Sequence, residues 1–390
     1  MASAGRPEAG REDWYMPKPL VFHIAGRKLV IALLLTVVPI SLAALYAATR
    51  AGETTAAAAG RHLETVAQAA AGSIEQQIEA KVVEAALMAS DAAVLEVVRD
   101  SNRQYFRVRQ ELIRERLLAK DKTWVTPQGE ALVEQTMSNA GSQALRRKLT
   151  VDPSFLRITV TDLEGATVAA THKTLDYYQA DEEYWQDIYF YGRGVVSLTD
   201  VLYDEATKNY YIGVGVPVVR ETNQIMGTLD ALVQVGSLLP ALHRAELGVG
   251  GKVYLAKKDG AVIFGTDGLT LADEERSAEV DAVVDARGSY EGRTSGSFDA
   301  TFPGGRRARL AFAHLGLEER YPKLDWMVVA AEEEAGALGA VSMATVLIMG
   351  IALLSLACVV FLVVYFALHQ PSEIEEVEEE MGATIKGAAG

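Results

Sequence analysis

An α+β fold is predicted, in which two transmembrane helices flank a long helical stem and two tandem antiparallel-sheet modules. Three observations predict it. Two long runs, one in each terminal region, carry no charged residue. The segment after the first run repeats apolar residues at helical spacing. From Phe155 onward, one succession of strands and turns occurs twice.

The first uncharged run, Leu29 to Thr49, lies between Arg27-Lys28 and Arg50. It matches the roughly 20 residues that cross about 30 Å of hydrocarbon as a helix. Pro39 falls within it, where a membrane helix tolerates proline better than a soluble one. The second run, Ala335 to Leu368, is longer still. A cleaved signal peptide would have a short basic leader and an apolar core of roughly 7–15 residues. The longer leader and core here, with no clear A-x-A site after them, favour an uncleaved anchor. Arg6, Arg11, Lys18, Arg27 and Lys28 precede the first span and place the N-terminus inside, by the positive-inside rule. The expected layout is a cytoplasmic segment 1–28, a span 29–49, a second span 335–368 and a short acidic cytoplasmic tail 369–390. Residues from about 50 to 334 then lie outside the cytoplasm, on the cell's inner (plasma) membrane.

Residues 50–150 are expected to form the helical stem. Leu63, Val66, Ala70, Ile74, Ile78, Val82, Ala86 and Leu87 recur at helical spacing, interleaved with Glu64, Glu75, Glu79 and Glu84. Such a stripe fits two uses, a seam in a homodimer or packing against its own domain. A second helical stretch is expected over Asn102 to Lys120. The texture then changes. Arg157-Ile158-Thr159-Val160-Thr161 alternates as a strand does, Asp162 to Gly165 reads as a turn, and Ala166 to Ala170 resumes a strand. Tyr210 to Val218 and Ile225 to Val235 follow. The order returns with Lys252 to Ala256, Asp259-Gly260, Ala261 to Phe264, Arg307 to Ala313 and Trp326 to Ala331. The modules are therefore expected at 151–243 (membrane-distal) and 244–334 (membrane-proximal), with Gly248 to Gly251 as a tight turn between them.

The formal net charge of -15 argues against nucleic acid, whose phosphates need clustered Lys and Arg. Cys358, the only cysteine, lies in the second apolar run and supports neither a disulfide framework nor a thiolate metal site. There is no G-x-S-x-G, H-E-x-x-H or P-loop motif, and the six histidines are scattered without ligand spacing. No catalytic residue, metal or cofactor is expected, and an enzyme is not the reading.

The ordered set of Asp176-Tyr177-Tyr178-Gln179-Ala180-Asp181-Glu182-Glu183-Tyr184-Trp185-Gln186, Val201 to Glu205, Ile212 to Pro217 and Gly227-Thr228-Leu229 resembles the signature of double Cache sensor domains. These are the tandem PAS-like extracytoplasmic domains of bacterial transmembrane receptors. The resemblance implies a small-molecule ligand in the membrane-distal module and a cytoplasmic signalling partner. The candidate ligand-binding residues are Tyr177, Tyr184, Trp185, Tyr203, Asp204 and Asp230. In amino-acid-binding relatives an Arg before the aromatic pair grips the carboxylate. Glu182 stands there in this chain, and Asp230 falls two residues before the family's amine-holding Asp.

Each candidate also has a plain structural reading. Tyr and Trp commonly fill cores with their polar tips satisfied. Asp204 suits a turn, the acids at 181–183 suit a helix N-terminus, and Asp230 suits a solvated strand face. The aromatic and acidic set suits an amine or quaternary ammonium ligand, unless Arg193 reaches the pocket and receives a carboxylate. Partners are then a small molecule, the membrane, a second copy in a homodimer and a cytoplasmic signalling protein in trans. Pro371 with Ile374, Val377 and Met381 could begin a HAMP-like helix, so output belongs to a separate protein or to a longer receptor. The rival class is a membrane-anchored protein-binding adaptor, which an exposed apolar patch over a filled pocket would favour.

Overall fold

The computed structural model describes residues 26–205, 207–220, 222–243, 247, 251–271, 276–333 and 339–368. The expectations for 1–25, for Gly248 to Gly250 and for the tail 369–390 lie outside the described residues. Five helices come first: α1 (Gly26–Ala89), α2 (Ala92–Arg103), α3 (Gln110–Trp124), α4 (Glu130–Ser138) and α5 (Ala140–Val151). Asp91 and Asn139 cap α2 and α5, accepting from Ala93 N and Ser142 N at 2.9 Å each, as N-cap oxygens do. The stretch Asn102 to Lys120 is not one helix. The chain turns between α2 and α3, with Arg107 at φ 61°. Ser101 Oγ and Tyr105 OH bind Asp162 at 2.6 and 2.8 Å and hold this turn against the first sheet.

The sheet elements follow as β1 (Phe155–Asp162), β2 (Thr167–Ala170), α6 (Glu183–Tyr189), β3 (Ser197–Leu198), β4 (Leu202–Asp204), β5 (Asn209–Val219), β6 (Ile225–Gln234) and α7 (Pro240–His243). Next come β7 (Lys252–Lys257), β8 (Val262–Gly265), α8 (Ala278–Asp285), β9 (Ser295–Thr301), β10 (Arg307–His314) and β11 (Trp326–Glu333). The first sheet runs β2-β1-β6-β5-β3, with β4 also on β5, and the second runs β8-β7-β11-β10-β9. All pairings are antiparallel.

The repeat extends to single hydrogen bonds. In the first sheet Thr171 Oγ1 accepts from Ile158 N at 2.9 Å, and in the second Thr266 Oγ1 accepts from Val253 N at 2.9 Å. Both hairpins carry a register shift at the same place, Val160/Thr161 and Leu255/Ala256. Gly165 and Gly260, at φ 83° and 94°, close the two turns in the left-handed region that glycine occupies freely.

The chain divides into two units, Met1–Thr54 with Ala340–Gly390, and Thr55–Gly339. In the second unit, one apolar cluster joins Leu63, Ala67, Ile74 and Ile78 of α1 to Ile158, Val160, Val214 and Leu229 of the first sheet. It continues to Val253, Leu255, Val328 and Ala330 of the second sheet. Leu63, Ile74 and Ile78 are fully buried there, each worth about 1.5–3 kcal/mol of burial. Of the two uses open to the stripe, Leu63, Ala70, Ile74 and Ile78 serve internal packing, while Ala86 and Leu87 at its far end are exposed.

In the first unit, the 26–54 part of α1 and the last helix, α9 (Gly339–Leu368), are apolar enough to cross a membrane over Ile31 onward and over Val346–Tyr365. They turn out Leu35, Ile40, Leu42, Leu354 and Phe361, and Ser41 Oγ and Ser355 Oγ share a hydrogen bond of 2.9 Å.

Candidate functional site

Strand alternation sorts the first sheet into two faces. Ile158, Val160, Ile212, Val214 and Val216 turn toward the core, while Arg157, Thr159, Thr161, Tyr211, Gly213 and Gly215 take the other face. In register with them, Asp230 pairs with Thr159 on one side and Gly215 on the other. The two glycines leave this face open. A Cβ at Gly213 would sit 3.3 Å from Asp230 Oδ1, and one at Gly215 would sit 2.4 Å from Ile188 of α6. Glycine weakens a strand interior, but here it admits α6 and preserves a cavity.

That cavity has a volume of about 660 Å³ and is lined by Arg157, Thr159, Tyr211 and Asp230 at the sheet and by Tyr184 of α6. Asp176, Gln179, Glu182 and Glu183 line it from the segment over the sheet, Thr199, Asp200 and Leu202 from the edge, and Lys323 from the second module. The covering segment is anchored on α3. Asp121 Oδ1 accepts from Tyr177 N and Tyr178 N at 2.8 and 3.1 Å, and Trp124 Nε1 donates to Thr174 O at 2.9 Å. Tyr184 OH donates to Gln179 Oε1 at 2.5 Å, and Gln179 Nε2 donates to Asp176.

Two buried aspartates on the same sheet differ in one respect. Asp162 accepts from Ser101 Oγ, Tyr105 OH, Glu164 N and Ala166 N, so its oxygens have donors within the fold, although burial still pushes its pKa up. Asp230 is also buried, but among the described residues its carboxylate has no hydrogen-bond donor. Burial pushes its pKa up to about 7, with the Arg157 charge pulling the other way. Asp176 is raised to about 6, first by burial and then by the charges of Glu182 and Asp121. Arg157 has no ion-pair partner among the described residues, whereas Lys323 is held by Glu183 Oε1 and Asp187 Oδ2, both at 2.6 Å. The cavity thus presents a buried carboxylate with no hydrogen-bond donor and a guanidinium with no ion-pair contact among the described residues, and Tyr184 and Tyr211 also line it.

Of the six residues picked from sequence, the cavity gathers Tyr184 and Asp230. Tyr177 is buried beneath it against Trp124, ring centroids 5.4 Å apart. Trp185 points into the sheet, donating from Nε1 to Thr161 Oγ1 at 2.9 Å and stacking on Tyr189. Tyr203 is exposed on β4 beside Tyr210, and Asp204 closes a turn by accepting from Thr207 N and Oγ1. These four do not line the cavity, because their polar groups are satisfied elsewhere or face solvent. Arg193 lies over the Phe190 ring and is absent from the lining. Sequence reasoning missed Arg157, although its alternation with Thr159 puts it on the face of Asp230. The spacing of Gly213 and Gly215 was a second unused signal. Lys323 had none, since it arrives from the other module.

No protein-family model matches the chain, and no curated protein matches it. Solved structures are similar to it. One is the ligand-binding domain of the Pseudomonas aeruginosa PAO1 amino acid chemoreceptor PctB in complex with L-Arg, at 14% identity and TM-score 0.42, covering 70% of this chain and 95% of that one. Another is the corresponding domain of PctC from the same organism with GABA, at 11% identity and TM-score 0.42, covering 70% and 99%. A third is the Campylobacter jejuni chemoreceptor Tlp3 domain with L-norvaline, at 12% identity and TM-score 0.38, covering 66% and 92%. All three are ligand-binding domains of chemoreceptors. At these scores the likeness carries no residue-by-residue correspondence, and the function is argued from the cavity.

Proposed function

We propose that this chain is a membrane-anchored extracytoplasmic sensor that binds a small ammonium-bearing molecule on the outer face of its first sheet and signals to a cytoplasmic partner. The observation that carries the reading is Asp230, a buried carboxylate that faces a cavity and has no donor among the described residues. Burying a charge without a partner is costly, and a ligand ammonium would offset that cost through a charge-assisted hydrogen bond. Tyr184 and Tyr211 would add cation–π attraction of roughly 0.5–2 kcal/mol each.

Arg157 changes the ligand class expected from Glu182 alone. Glu182 is exposed at the rim, while the guanidinium of Arg157 lines the same cavity as Asp230. A carboxylate on the ligand is therefore accommodated rather than repelled, and a zwitterion of the amino-acid kind fits both charges. The two apolar helices support a two-pass anchor, and the basic residues before the first span favour both termini inside with residues from about 50 to 334 outside.

The test combines topology and binding. A reporter fused near Gly250 should be active only outside the cytoplasm, and one fused after Gly390 only inside. The full chain in detergent should then be melted against primary amines, betaines, amino acids and dicarboxylates. A ligand at a hundred times its Kd stabilises by about 2.7 kcal/mol. Stabilisation by dicarboxylates with none by ammonium compounds would refute the reading.

A further inference from the structure

The end of β10 and the loop joining it to β11 gather His314, Glu318 and Asp325. One ligand atom from each lies within 4.8 Å of the others. The sequence spacing, three residues then six, matches no common metal motif, so the cluster exists only in the fold. The loop is fastened at its base by Leu315 N donating to Trp326 O at 3.1 Å, so the three side chains start from a fixed frame.

A second observation singles the cluster out. His314 Nδ1 and Asp325 Oδ1 are both shut off from solvent and have no hydrogen-bond partner. Few buried polar atoms are left in that condition, and those that are commonly mark a bound ion or water. Only four such side-chain atoms occur among the described residues, and two of them fall here. The Lys258 ammonium approaches from outside, 2.8 Å from Asp325 Oδ2 and 3.8 Å from Glu318 Oε2. It engages the outer oxygens, while the Glu318 and Asp325 carboxyls stand within hydrogen-bonding reach of each other and the imidazole nitrogen has no partner.

We infer that His314, Glu318 and Asp325 form a binding site for a divalent transition-metal cation. One imidazole and two carboxylates suit Zn²⁺, Mn²⁺ or Ni²⁺ and leave coordination positions for water. Ligand atoms within 4.8 Å of one another need a small inward movement to reach bond lengths near 2.1 Å. Lys258 acts as the competing cation and yields when the metal enters. The same loop carries Lys323 to Glu183 and Asp187 of α6, so a metal at its base would brace the contact between the two modules.

The experiment is calorimetric titration of the full chain in detergent, without a polyhistidine tag and stripped of metal by chelation, with Zn²⁺. Co²⁺ serves as a spectroscopic reporter of bound nitrogen and oxygen ligands. One equivalent should bind per chain. His314→Ala should weaken binding by at least ~100-fold, a ligand costing no less than its supporting contacts. Lys258→Met should tighten binding, which a site held only by scattered surface histidines would not do. Should His314→Ala fail to fold, Glu318→Gln decides, since that side chain is partly exposed. No Zn²⁺ binding by the wild type, or equal binding by wild type, His314→Ala and Glu318→Gln, overturns the site.

Discussion

At matched positions the two sheets carry opposite chemistry. Thr159, Asp230 and Gly215 meet across three strands of the first sheet, and Tyr254, Val329 and Phe312 meet across the equivalent strands of the second. The outer face of the second sheet is packed solid by Tyr254, Phe312, Met327 and Val329 with Val280 and Val283 of α8. The first sheet spends two glycines and a buried acid on the same area and keeps a cavity. One plan therefore yields a structural module and a binding module, and what separates them is side-chain volume and charge at three positions.

The largest expected effect comes from removing the acid. Asp230→Asn should weaken an ammonium ligand by at least ~30-fold, since losing one member of a buried charge pair costs about 2–5 kcal/mol. The same change should stabilise the ligand-free protein at pH 8 by a few kcal/mol. The sign follows from the raised pKa: the folded carboxyl titrates at about 7, so its stability is complete below about pH 4 and is lost as pH rises through 7. Asparagine carries no such loss. Melting curves of both forms at pH 5 and pH 8 check this, and equal curves at pH 8 would make the two sheets electrostatically alike.

Acidity is the next lever. Below pH 7 the carboxyl becomes protonated and neutral, so ammonium affinity should fall about tenfold per pH unit, roughly 100-fold by pH 5. Arg157→Met sharpens the ligand class. It should cost a zwitterion about tenfold or more and leave a simple amine unchanged, as competition binding would show.

Much of the fold was legible because it follows from period and length. The uncharged runs, the hairpins at Gly165 and Gly260 and the four long strands needed only alternation and turn chemistry. β9, Ser-Gly-Ser-Phe-Asp-Ala-Thr, was not read from the sequence, since its β character comes from pairing with β10. The break between α2 and α3 is set by the contacts of Tyr105 and Ser101 with Asp162, which no local signal announces. For the site, Asp230 stood out as an acid in an apolar strand. Tyr177 and Trp185 were drawn in as aromatics at a helix entrance, where satisfied core packing looks the same. The smallest prediction separates those two uses. Trp185→Phe loses the bond to Thr161 and should cost about 1 kcal/mol of stability, with no change in ligand affinity by calorimetry.

The central claim is that ionised Asp230 itself receives the ligand's ammonium, and proton release on binding measures this most directly. Calorimetry of the strongest ammonium compound from the melting screen, at pH 6 in buffers of different ionisation enthalpy, counts the protons exchanged. A carboxyl titrating at about 7 is mostly protonated at pH 6. Binding should then release close to one proton more per ligand in the wild type than in Asp230→Asn, where only Asp176, titrating at about 6, remains to respond. Binding without proton release at pH 6, or identical release from the two proteins, would contradict the account.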